Sequence, residues 1–120
     1  METNDATAVR AIMKRTSEMY GHTVYIAPTL KELQRLVGGY IETVTLRQAS
    51  MSRPSITLIM DEEGKLKNKR ANFHMGVRPF GDTIVGDVLV CSFNQEGELV
   101  DLDLDFKNWK AYLERMEAGT

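Results

Sequence analysis

Few side chains in this chain could do covalent or metal chemistry, and their spacing narrows the choice further. The sequence holds one cysteine, Cys91, and two histidines, His22 and His74. An intrachain disulfide, a dithiol redox pair and a zinc site built on four cysteines, or on two cysteines and two histidines, are therefore excluded. Cys91 lies in the apolar run Val88-Leu89-Val90-Cys91-Ser92-Phe93, where a thiol is expected to be buried and inert. No serine sits in a G-x-S-x-G elbow, and neither Gly38-Gly39 nor Gly76 and Gly81 belong to a phosphate-binding glycine motif. Asp101, Asp103 and Asp105 alternate like the first ligands of a calcium loop. The place that loop reserves for glycine is Phe106, however, and the place for its bidentate glutamate is Tyr112. A strand edge leading into a helix N-terminus accounts for the three acids through solvation and the helix dipole. No metal site and no cofactor is expected.

What remains is the chemistry of contact. Lys65, Lys67, Lys69, Arg70 and Arg78 occur with no acidic residue between the first and the last, and Asn72, Phe73 and His74 interleave with them. Such a strip offers cations to phosphates, with an amide and rings to add hydrogen bonds and stacking. Alternating lysines on an exposed strand would equally protect a sheet edge from pairing with other chains. Tyr40 and Glu42 follow a glycine pair and share one side of their strand by the period of two. The candidate ligand or partner contacts are thus Tyr40, Glu42, Lys67, Lys69, Arg70, Asn72, His74 and Arg78, none of them in a catalytic role. A carboxylate pair such as Glu42 with Asp82 would support acid–base work only if the fold brought the two together.

The elements that must position these residues are partly legible. Thr29 is a candidate N-cap with Glu32 as its capping-box partner; Leu30, Leu33, Leu36 and Val37 line one face of the helix, and Gly38-Gly39 stops it. Tyr40–Leu46 and Ser55–Met60 read as strands, and Asp61-Glu62-Glu63-Gly64 as a hairpin turn into Lys65-Leu66-Lys67. Asn68–Met75 fits one helical turn or an irregular crossing. Thr83–Phe93 is the most β-rich stretch, with Gly86 marking a bulge or a close backbone approach. Leu99-Val100 returns from a turn at Asn94–Glu98. Trp109, Tyr112, Leu113 and Met116 then mark a C-terminal amphipathic helix, capped by Asp103 or Asp105. Near the start of the chain Thr23-Val24-Tyr25-Ile26 reads as a strand, whereas Val9–Tyr20 fits helix or strand.

Length and charge bound the class. The chain has 120 residues and a formal net charge of −2 from 15 basic and 17 acidic side chains, which suits one α+β domain and excludes a histone-like binder by bulk charge. A frayed start over residues 1–7 and a single domain over residues 8–118 are expected, with an antiparallel sheet of hairpins, one short internal helix and one C-terminal helix. No apolar run is long enough to span a membrane, and METNDATAVR has no secretory core. A cytoplasmic location is expected.

The segments T-L-K-E-L-Q-R-L-V-G-G-Y-I-E from Thr29, D-E-E-G-K-L from Asp61 and G-D-T-I-V-G-D-V-L-V from Gly81 carry a resemblance. Together they resemble a small domain family of unknown function widespread in phages, plasmids and mobile elements of bacteria, from about Val9 to Arg115. The resemblance implies an opening β-hairpin, and so a strand within Val9–Tyr20. Asn72 holds the asparagine of a proline-asparagine turn usual in the family, but Lys69-Arg70-Ala71 precede it without the proline. It implies no transferable activity. The expected function is that of a non-enzymatic phage or mobile-element protein in the host cytoplasm that binds a host protein or small-molecule ligand, as an anti-defence inhibitor or by sequestering a signalling nucleotide. Nucleic-acid binding through Lys65–Arg78 is the alternative, and a homodimer is the expected assembly.

Overall fold

A computed structural model describes residues 8–76 and 80–118. The frayed start expected over residues 1–7 and the candidate contact Arg78 lie outside them. The elements are β1 (Val9–Lys14), β2 (His22–Ile26), α1 (Leu30–Val37), β3 (Ile41–Arg47), β4 (Ile56–Asp61), β5 (Ala71–Met75), β6 (Asp82–Val85), β7 (Val88–Phe93), β8 (Leu99–Val100) and α2 (Phe106–Glu117). The main sheet runs β2-β1-β7-β4-β3 with every neighbouring pair antiparallel, and β8 also pairs with β7. This is the α+β architecture expected from the sequence.

The central strands explain why that sheet forms. β4 is buried along its whole length and β7 along nearly all of it, because both of their faces are covered, so their sequences read as continuous apolar runs. Successive residues go to opposite sides. Ile12, Leu58 and Val90 pack with Trp109, Leu113 and Met116 of α2. Ala11, Met13, Ile59, Leu89 and Cys91 pack with Leu33 and Val37 of α1. β5 and β6 form a separate two-stranded hairpin that lays Phe73 and Ile84 on the α2 side.

The helix ends follow their caps. The Thr29 hydroxyl accepts from the Glu32 N–H at 3.2 Å, and Gly38 takes the left-handed conformation at φ 83°, so its N–H reaches Gln34 O at 2.9 Å. Only half of the expected capping box forms. The Glu32 carboxylate is taken by Arg35 at 2.8 and 3.1 Å, and the Thr29 N–H goes to Ala27 O. At α2 it is Asp105, not Asp103, that caps, accepting from the Asn108 N–H at 2.7 Å.

Three local expectations are corrected. Lys65–Lys67 is not a return strand: β4 pairs with β3 and β7, and Glu62–Asn68 is a run of turns from which Lys67 folds back onto Asp61. Asn68–Met75 ends in strand β5 rather than a helical turn, because Phe73 and His74 are buried only when paired with β6. The β-rich stretch Thr83–Phe93 is two strands in two sheets, divided at Gly86-Asp87. Gly86 sits at φ 78°, a conformation that re-aims the chain and that a side chain disfavours. Gly86→Ala is expected to cost about 1–2 kcal/mol, read as a lower urea midpoint; an unchanged midpoint would show that the division does not need glycine. The ambiguous Val9–Tyr20 segment is strand β1 followed by a loop.

Candidate functional site

The expected contact residues do not form one surface. Asp61, at the end of β4, is 3% exposed, and its carboxylate accepts from Lys67 Nζ at 2.8 Å and Lys69 Nζ at 2.7 Å. The same two lysines donate to Gly38 O at 3.2 Å and Val37 O at 2.9 Å, the C-terminal carbonyls of α1, where partial negative charge collects. Burial pushes the Asp61 carboxyl up. Hydrogen bonds from Lys67, Lys69 and the Glu63 N–H outweigh it and hold the group well below the usual carboxylate range. Lys67 and Lys69 are thus counter-ions to an internal carboxylate. Lys65 pairs with Asp82, and Arg70 is exposed.

His74 is buried, with Nε2 at 2.8 Å from Phe80 O and Nδ1 at 3.3 Å from Thr83 Oγ1. The carbonyl accepts, so Nε2 carries a proton there and the ring ties the β5–β6 hairpin together. Tyr40 and Glu42, expected on one side, serve different hollows. Tyr40 is 69% exposed beside Gln34 and Lys67. Glu42 does share a groove of about 200 Å³ with Asp82, over Val44, Met60 and Ile84. The three alternating aspartates have three separate partners: Asp101 accepts from the Arg10 N–H, Asp103 binds Arg47 at 2.6 Å and Arg53 at 3.0 Å, and Asp105 caps α2. They follow β8 as irregular chain rather than as a strand edge. Among the described residues no group of three His, Cys, Asp or Glu is placed to hold a metal ion.

Burial pushes the Cys91 thiol up to about 12. Native protein is therefore expected to resist iodoacetamide at about pH 8 and to label fully once unfolded; rapid native labelling would overturn the buried placement.

The remaining expected residue, Asn72, leads to a different place. Lys14, the last residue of β1, is 3% exposed. Its Nζ donates to Asn72 Oδ1 at 2.6 Å and to Glu18 O at 2.8 Å. The Asn72 amide returns hydrogen bonds to Lys14 O at 2.9 Å and Gly86 O at 2.8 Å, so every polar atom of that side chain is engaged. Burial pushes the Lys14 amine below its ordinary range, against the opposing pull of Glu117, Glu18 and Asp87. Lys14 borders a cavity of about 300 Å³ between the β1–β2 loop, β5 and α2. Phe73 and Leu113 supply its apolar lining, and Tyr20, whose hydroxyl donates to Glu114 at 2.6 Å, stands beside them. Glu114 and Glu117 contribute carboxylates, whereas the Glu18 carboxylate is taken by the Arg15 N–H at 2.8 Å and His22 Nδ1 at 2.6 Å. The site can exchange hydrogen bonds with a partly apolar ligand.

Residues 9–117 match the family described as a domain of unknown function, DUF3846. The chain belongs to this family. No curated protein and no solved structure matches it. The DUF3846 match spans every element from β1 to α2, so the Lys14 cavity lies wholly within the family domain. Sequence reasoning missed Lys14 and Glu117. A lysine at a strand end reads as solvated, and the available signal was Asn72 in the family's turn position.

Proposed function

We propose that this DUF3846 domain is a non-enzymatic accessory protein of a phage or mobile element that works in the host cytoplasm by binding, as an anti-defence factor that blocks a host protein or sequesters a small ligand. The observation that supports this reading is the Lys14 cavity, which combines a buried cation, carboxylates and an apolar lining. The groups best suited to covalent work are engaged elsewhere: Cys91 is buried, Asp61 is bound by two lysines and His74 is held in its hairpin. Direct nucleic-acid binding through the Lys65–Arg78 strip has less support, because Lys67 and Lys69 face Asp61 and the end of α1. No helix among the described residues is long and apolar enough to cross a membrane. Pairing of two copies through an outer strand, β2 or β3, would complete a closed assembly, and light scattering reads it.

Tagged protein captured from host lysate, followed by mass spectrometry of co-purifying proteins and of small molecules released on heating, tests the reading. A stoichiometric partner or ligand is the expected result. Recovery of neither, or steady turnover of a substrate by purified protein, would overturn it. A gel shift at two ionic strengths is expected to show no strongly salt-sensitive complex, whereas a steep loss of tight binding with salt would favour the strip.

A further inference from the structure

We infer that the Lys14 cavity binds an uncharged lactam ring, a carbonyl beside a ring N–H, of the kind guanine and uracil carry. This rests on the binding reading above and names the ligand chemistry of that site. An ammonium has three N–H groups. Two of those on Lys14 go to Asn72 Oδ1 and Glu18 O; the amine stands over the Phe73 ring, 6.0 Å from its centroid, and its third N–H is the one assigned to a ligand oxygen. Asn72 cannot assist, since its own donors are spent on Lys14 O and Gly86 O.

The charges around the cavity select among ligands. An anion would gain one ammonium but face the carboxylates of Glu114 and Glu117. A phosphate group is therefore disfavoured at the inner end. A guanidinium or amine would gain the carboxylates but meet Lys14 in its buried setting. An uncharged ring with an acceptor at one position and a donor beside it satisfies both. Its carbonyl accepts from Lys14 and its ring N–H donates to a carboxylate. Glu117 is the acceptor of choice because its charge already acts on Lys14; one of its oxygens is held by the His74 N–H at 2.8 Å, which leaves the other for a ligand. The half-buried Tyr20 and the exposed Met19 offer aromatic and apolar surface to the ring, and the nearly buried Phe73 and Leu113 complete the lining. Adenine lacks the carbonyl, and cytosine carries an acceptor where the ring N–H is needed. A buried polar site rejects a ligand that leaves its groups unpaired.

Calorimetric titration of the full chain with guanosine, uridine, adenosine and cytidine tests this. Guanosine and uridine are expected to bind at least about ten-fold more tightly than the other two. Guanosine monophosphate is expected to bind no more tightly than guanosine. A short guanosine- or uridine-containing oligonucleotide separates a free ligand from a base presented on a strand, and binding of either supports the site. Glu117→Gln keeps an oxygen for the His74 N–H while losing the carboxylate, so it should weaken guanosine at least about ten-fold with an unchanged thermal midpoint. Lys14→Met should abolish binding, and Glu117→Gln keeps the test decisive should that variant fail to fold. Absence of nucleoside binding, equal affinity for all four, tighter binding of the monophosphate, or an indifferent Glu117→Gln would overturn the inference. If lysate capture still yields a partner in that event, the binding reading stands without the lactam site; if it yields none, both fall.

Discussion

Replacing Trp109 with alanine is expected to lower the unfolding free energy by about 3–5 kcal/mol, a large share of the roughly 5–15 kcal/mol available to an ordinary domain. The indole is fully buried between α2 and the sheet. Its Nε1 donates to Tyr20 O at 2.7 Å, and its ring meets Phe73 edge to face with centroids 6.3 Å apart and planes at 74°. Truncation opens a cavity, leaves the Tyr20 carbonyl without its donor and removes the support beneath Phe73. The same side chain that anchors the core therefore holds two residues of the Lys14 cavity in place. Urea unfolding should be followed by far-UV circular dichroism, because Trp109 is the sole tryptophan. A loss below about 1 kcal/mol, the range of an ordinary point mutation, would mean that α2 does not pack as described.

Asp61→Ala should give the second large effect. It removes the carboxylate that Lys67 and Lys69 share, and breaking a buried ion pair by deleting one partner costs about 3–5 kcal/mol. The two lysine side chains are 40% and 27% exposed, and water recovers part of that cost, so about 2–3 kcal/mol is expected. The pH dependence carries the sharper test. Folding depresses the Asp61 pKa, so its contribution is complete above the unfolded value near 4 and is lost as pH falls toward the folded value. The stability difference between wild type and Asp61→Ala should accordingly be constant from about pH 7 to 5 and shrink below about pH 4. Asp103, also held below its usual range by Arg47 and Arg53, titrates in both proteins and cancels from that difference. A gap that stays constant into acid would show that the carboxylate is not ion-paired in solution.

Legibility in the sequence tracked the range of the interaction that decides each element. The N-cap of α1 at Thr29, its glycine stop and the apolar stripe of α2 are set by contacts within four residues, and these are found where expected. The turn at Lys65–Lys67 and the strand β5 are not legible locally because other elements decide them: Lys65 answers Asp82 in β6, Lys67 answers Asp61 and the end of α1, and Phe73 and His74 need β6. The division of Thr83–Phe93 had a local sign in Gly86, but the two halves differ only in which sheet receives them.

The candidate contacts show the same limit. Their residue types carried the chemistry, yet types do not reveal whether a charge is answered inside the protein. Lys67 and Lys69 turn inward, and Glu42 and Asp82, forty residues apart in the chain, come to line one groove.

From its residues alone the chain determined its class, its two helices, its buried strands and the disulfide and zinc sites that one cysteine excludes, since these depend on local geometry, periodicity and stoichiometry. Tertiary structure alone decided that a lysine at the end of β1 would be buried against an asparagine in β5. Desolvating a charge depends on what every neighbouring element places around it, and that surrounding exists only after the chain has folded.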